Sequence, residues 1–127
     1  MNTEKVVFGF FIVLAASLNF GFFYGAIDRP ELHPPFHLFG AIVINLIATV
    51  LKFGDRTQIG AIHLATSLVA DLELIAASLD WAYAVYVSPD GMTPAAMASV
   101  VSLSGGALLA NLVSVIILIA DTVSLRR

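Results

Sequence analysis

Four long apolar stretches, almost free of charge, constrain this chain more than anything else in it. Residues 6–27 and 95–120 carry no charged side chain, and residues 36–53 carry only Lys52. Residues 59–87 form the longest stretch and hold His63, Asp71, Glu73 and Asp80. A helix needs about 20 apolar residues to cross ~30 Å of hydrocarbon, so each stretch predicts a transmembrane helix. The second is the shortest, and Lys52 near its end has the reach to snorkel to the interface. Composition agrees: 59% of the chain is apolar and 12% charged, against about 45–50% and about 25% in soluble domains. That is too little charge to clothe a soluble globule. The reading is an all-α integral membrane protein, one membrane domain over residues 1–127.

The same counts exclude several classes. Six Lys+Arg against nine Asp+Glu, a net charge of −3, speak against a nucleic-acid partner. With no cysteine there is no disulfide scaffold, thiolate metal site, Fe–S cluster or Cys nucleophile.

Turn chemistry separates the stretches. Asp28-Arg29-Pro30 and His33-Pro34-Pro35 end the first helix and restart the chain. Gly54-Asp55-Arg56-Thr57 makes a tight second connection in which Asp55 or Thr57 caps the next helix. Ser88-Pro89-Asp90-Gly91 and Thr93-Pro94 precede the fourth helix, with Pro94 in its first turn. Ala15-Ala16-Ser17 offers small residues at a signal-peptide cleavage point, but the apolar run continues through Ile27, so a retained helix is expected.

With four spans, Lys5, Lys52, Arg56, Arg126 and Arg127 share one side and Arg29 stands alone on the other. The positive-inside rule then puts both termini in the cytoplasm, and the expected home is a bacterial inner membrane. Trp81, Tyr83 and Tyr86 fall at the outer end of the third helix, where aromatic belts sit.

The chain also matches itself. Ala15-Ala16-Ser17-Leu18-Asn19-Phe20-Gly21-Phe22 parallels Ala76-Ala77-Ser78-Leu79-Asp80-Trp81-Ala82-Tyr83. Gly40-Ala41-Ile42-Val43-Ile44-Asn45-Leu46-Ile47-Ala48 parallels Gly106-Ala107-Leu108-Leu109-Ala110-Asn111-Leu112-Val113-Ser114. These collinear matches predict two parallel hairpin repeats, 6–53 and 67–120, about an axis along the membrane normal. Small residues recur every four positions at Ala98, Ser102, Gly106, Ala110 and Ser114, and at Ser17, Gly21 and Gly25. Such stripes allow close helix approach, read here as packing within the chain ahead of a dimerisation face. Gly105-Gly106 is a candidate kink.

The intramembrane polar residues are the functional lead. A carboxylate at the centre of a span costs about 2.5–3.5 kcal/mol on insertion scales unless it faces protein or water, pairs, or takes a proton. At 100° per residue Glu73 and Asp80 lie about 20° apart, with Thr66 on the same face; Asp71 is about 200° from Glu73, beside Ser67 and Ser78. The third helix therefore has two polar faces and is expected inside an assembly, a homo-oligomer or a complex with a membrane-protein partner. Asn19, Asn45 and Asn111 extend the polar set. One reading is a proton or cation pathway in which Glu73 and Asp80 bind the ion, Asn45 and Asn111 line the site, and Asp71 acts at a neighbouring interface. On that reading flux is lost in Glu73→Gln or Asp80→Asn. The other reading is interhelical hydrogen bonding in an accessory or structural subunit.

Asp28, Glu31, His33 and His37 form an outer-loop cluster of metal-capable ligands, read as a wet interfacial loop because Pro34-Pro35 breaks helical i, i+4 spacing of the two His. His37 and His63 lie toward opposite surfaces, which rules out one haem between them. No cofactor is expected, and without a phosphate loop or a nucleophile–base set no enzyme is expected. The Gly40…Asn45-Leu46 spacing resembles the second helix of fluoride channels, but that family's arginine-containing first-helix motif and Thr/Ser/Phe-rich third-helix motif are missing. Small multidrug transporters place an essential Glu in the first helix, and residues 6–27 hold no acid.

Overall fold

The computed structural model describes the chain from Thr3 to Leu125. Arg126 and Arg127, two of the five positive charges counted at the cytoplasmic side, lie outside the described residues. Four helices make up the fold: α1 Thr3–Phe23, α2 Pro35–Lys52, α3 Gln58–Ala82 and α4 Pro94–Leu125. A π turn, Tyr83–Val87, prolongs α3, and a 3-10 turn, Pro30–Leu32, interrupts the first loop. The described residues form no strand. Each of the four helices is long and apolar enough to cross a membrane, as befits a multi-pass membrane protein.

Packing runs in a ring, α1 on α2, α2 on α3, α3 on α4 and α4 back on α1. Short connections make ring neighbours antiparallel, and an ion pair of 2.6 Å from Lys5 to Asp121 closes the ring between the ends of α1 and α4. The inward face of each helix follows a heptad-like period. On α1 it is Phe8, Ile12, Ala15, Asn19 and Phe22; on α3 it includes His63, Ser67, Ala70, Asp71, Leu74 and Ala77. The outward faces are as apolar as the core, with Leu72 71% and Leu79 67% exposed. That inversion suits a bundle whose solvent is lipid.

The caps follow the local chemistry. Thr57 Oγ1 accepts from Gly60 N at 2.9 Å to start α3, and Thr93 Oγ1 accepts from Ala96 N at 3.1 Å to start α4 behind Pro94. The π turn closes on a bond of 2.8 Å from Ser88 N to Tyr83 O, spanning five residues as π turns do. Here the rings of Trp81 and Tyr86 meet edge to face at 5.9 Å, and Trp81 meets Phe39 of α2 at 5.3 Å.

Three features of the sequence resolve differently from expectation. The first helix stops at Phe23 instead of running to Ile27, because Gly25 turns the chain with φ = 101°, a conformation glycine takes without a Cβ penalty. The first loop, read as wet, buries His33 completely. Its Nδ1 lies 2.5 Å from Phe22 O and its Nε2 lies 2.7 Å from Ala26 O. The ring thus folds back under the end of α1, serving the Phe22 carbonyl that the helix leaves open and the Ala26 carbonyl of the loop. The Gly105-Gly106 pair does not interrupt α4, which is one continuous helix.

Candidate functional site

The six polar residues singled out in the spans separate into two groups. Asn19, Asn45, Asp71 and Asn111 are buried, one on the inward face of each helix. Glu73 and Asp80 are only partly buried and lie along the seam between α3 and α4.

Asp71 is 6% exposed. One carboxylate oxygen accepts a 2.5 Å hydrogen bond from Thr49 Oγ1 of α2, and the other has no protein partner. Thr49 sits one turn beyond Asn45 on the same face, and also contacts Asn45 O at 2.8 Å. Asn45 Nδ2 donates to Ala41 O at 2.8 Å, leaving its Oδ1 unpartnered; both amide atoms of Asn111 are unpartnered too. Toward the terminal end, Ser67 and His63 follow Asp71 at four-residue steps. His63 Nδ1 lies 2.6 Å from Ser114 Oγ of α4, while His63 Nε2 and Ser67 Oγ have no partner. Buried polar atoms in proteins are nearly always satisfied, commonly by water where protein supplies nothing. This face of α3 therefore has unused capacity to hold water, a proton or a small ion.

The polar face meets a cavity of about 860 Å³ at the end of the bundle that carries the first residues of α1. His63 lines it, together with Lys5, Lys52, Asp55 and Asp121. Lys52 Nζ sits 4.3 Å above the ring of Phe8, which meets the ring of His63 at 4.9 Å. Asp55 lies in the loop and accepts from Thr57 N at 2.9 Å and from Thr57 Oγ1 at 2.7 Å. Those bonds, with Lys52 nearby, hold its carboxyl below the usual carboxylate range. Beyond Asp71 the interior is mostly apolar, filled by Phe22, Leu38, Leu74, Met97, Val100 and Val101, with Asn19 and Ser104 as buried polar residues among them. Among the described residues no group of three or more His, Asp or Glu is placed to hold a metal ion.

Residues 32–122 match the profile of DUF6394, a family of unknown function. The chain belongs to that family. The matched part of this DUF6394 protein takes in α2, α3 and most of α4, and with them Asn45, Asp71, Glu73, Asp80 and Asn111; α1 and Asn19 lie before it. No curated protein and no solved structure matches the chain.

On the seam, Asp80 accepts from Ser99 Oγ of α4 at 2.6 Å. Glu73 lies against Gly106, and a Cβ there would strike its carboxylate. Gly105, the residue before it, makes room for the ring of Phe23 from α1. Asn19 reaches the same turn: oriented to satisfy its hydrogen bonds, its amide donates to Ser104 O and accepts from Leu108 N, both at 3.0 Å. The small residues of α4 thus serve packing within the chain at Gly106, Ala110 and Ser114. Sequence reasoning missed Thr49, although its four-residue step from Asn45 marked it for the same face, and it missed Ser99 and Ser114 as partners of acid and imidazole.

Proposed function

We propose that this DUF6394 protein moves protons or a small monovalent cation across the membrane, with Asp71 as the group that binds and releases it. The observation that carries this reading is the Asp71 carboxylate, held on one oxygen by Thr49 and unpartnered on the other. It sits on a polar face that runs through Ser67 to His63 at the cavity. Asn45 and Asn111 supply further open acceptors in the core. Relative to the expectation from sequence, the main role passes from Glu73 and Asp80 to Asp71, because only Asp71 shares the interior with these groups.

The apolar cluster beyond Asp71 makes this a gated route, not an open pore. The reading takes both termini as cytoplasmic, so that the cavity opens to the cytoplasm of a bacterial inner membrane. It also takes the two hairpins as parallel repeats. Asn45 and Asn111 support that by being equally buried; Gly40 and Gly106 each face the preceding helix of their own hairpin, but at Leu18 and Glu73, which the duplication does not pair. Asn19 and Asp80 depart from the symmetry, one buried and one half-exposed, both against α4.

Reconstituted liposomes with a pH-sensitive dye inside test the role. Asp71→Asn abolishes flux and Thr49→Val slows it, while Asp80→Asn, away from the route, leaves it within about twofold, as the ~0.5 kcal/mol of ordinary surface substitutions allows. Wild-type flux in Asp71→Asn overturns the assignment. The sealed far end favours a second reading, an accessory subunit whose buried polar groups join helices; it requires that no ion moves in wild-type liposomes and that a membrane-protein partner co-purifies.

A further inference from the structure

The groove on the lipid side of the α3–α4 seam is not used by the proposed route. It encloses about 360 Å³ between Val69, Thr66 and Glu73 of α3 and Gly106, Leu109 and Val113 of α4. That volume lies in the range of small-molecule sites, roughly 300–1,000 Å³. Leu109 is 65% exposed, so the groove opens outward to lipid. Its walls are aliphatic, and its one charged residue is Glu73, whose Oε2 is buried and has no protein partner. Thr66 does not supply one, since its hydroxyl donates to His63 O at 3.0 Å.

We propose that this groove binds an amphiphilic monovalent organic cation, a hydrophobic ammonium that enters from the lipid and places its charge at Glu73. Three observations select that occupant. The groove offers aliphatic surface and hydrogen-bond acceptors but no free donor. The missing side chain of Gly106 gives the carboxylate its place at the groove wall, where a Cβ would strike Oε2. Among the described residues, Lys5, Arg29, Lys52 and Arg56 stand at helix ends or in loops, none of them at the depth of Glu73 in α3. A second copy of this chain therefore brings no counter-charge to the groove; pairing the two seams face to face would oppose two carboxylates in hydrocarbon, which is unfavourable. A mobile cation neutralises the carboxylate while its apolar body covers Val69, Leu109 and Val113.

The test uses the whole chain in phosphatidylcholine nanodiscs and a fluorescent hydrophobic styrylpyridinium cation, with an uncharged isostere as control. Saturable binding of the cation, weakened about tenfold or more in Glu73→Gln and absent for the isostere, is the expected result. Gly106→Ala, which crowds the carboxylate without removing it, weakens binding as well. Equal binding to wild type and Glu73→Gln, or saturable binding of the isostere, overturns the proposal. So does a change in oligomeric state in Glu73→Gln without a change in cation binding, which would assign the groove to a helix. Should Glu73→Gln fail to fold, the wild-type protein still decides. A hydrophobic carbodiimide adds to the Glu73 carboxyl, located by mass spectrometry, and saturating cation must slow that labelling about fivefold or more; unchanged labelling overturns the proposal.

Discussion

Replacing His33 with Ala tests whether the first loop is wet surface or part of the buried structure. The ring is fully buried, and each of its nitrogens lies within hydrogen-bond distance of a carbonyl oxygen. The two bonds are not equal. Phe22 is itself 0% exposed, so once the ring is gone its carbonyl loses its partner where water cannot replace it, at about 1–3 kcal/mol. Ala26 is exposed and its carbonyl also accepts from Arg29 N at 3.2 Å, so losing the ring there costs a net of about 0.5–1 kcal/mol. The ring also packs 5.7 Å from that of Phe22, a contact worth about 0.5–1 kcal/mol. The sum is about 2–5 kcal/mol, a large share of the ~5–15 kcal/mol that holds a typical protein folded. Unfolding by sodium dodecyl sulfate in mixed micelles, followed by circular dichroism, measures it. His33→Gln keeps one donor and recovers part of the loss. If His33→Ala lies within about 0.5 kcal/mol of wild type, as exposed loop substitutions do, the clamp under α1 is refuted and the wet-loop reading returns.

Two further outcomes follow from the same geometry. Asn19→Leu removes the amide docked on Ser104 O and Leu108 N, and is expected to cost about 0.6–1.7 kcal/mol in the same micelle assay, the span of interhelical hydrogen bonds in membranes. Asp55 is held below the usual carboxylate range by Thr57 and Lys52. Its contribution to stability is therefore full above the unfolded carboxyl value, about 3.9, and is lost as pH falls through the lower folded value. The stability gap between wild type and Asp55→Asn, plain at pH 6, should close below about pH 4; a gap independent of pH would refute it.

Apolar length made the four spans legible, and capping chemistry made Thr57 and Pro94 legible at their starts. The two polar faces of α3 also follow from 100° steps, since Asp71 meets Thr49 of α2 while Glu73 and Asp80 meet α4. Hydrophobicity says nothing, however, about which face of a membrane helix turns inward, because lipid and core are equally apolar. The end of α1 was hidden for a different reason. Tyr24, Ala26 and Ile27 continue the apolar run, and the stop comes from Gly25 together with a ring ten residues beyond Phe23. A contact made by chain reversal leaves no local pattern to read.

Asp71 and Glu73 show how the interior was chosen. They stand about 200° apart on one helix, so no rotation of α3 buries both. With Asp71 inward, His63 and Ser67 turn inward with it, His63 meeting Ser114 of α4 as Asp71 meets Thr49 of α2. With Glu73 inward, those three would face hydrocarbon together, and Leu72 and Leu79 would gain nothing, being as well solvated by lipid as by protein. Burying the richer polar face is the cheaper arrangement. It leaves one carboxylate at the lipid boundary, where the missing side chain of Gly106 gives it room. The two acids therefore respond to different probes: Asp71 to what arrives through the cavity at His63, and Glu73 to what arrives from the bilayer. An Asp71→Asn protein that loses flux yet still binds the hydrophobic cation would separate them, and a variant at either position that abolished both would refute that separation.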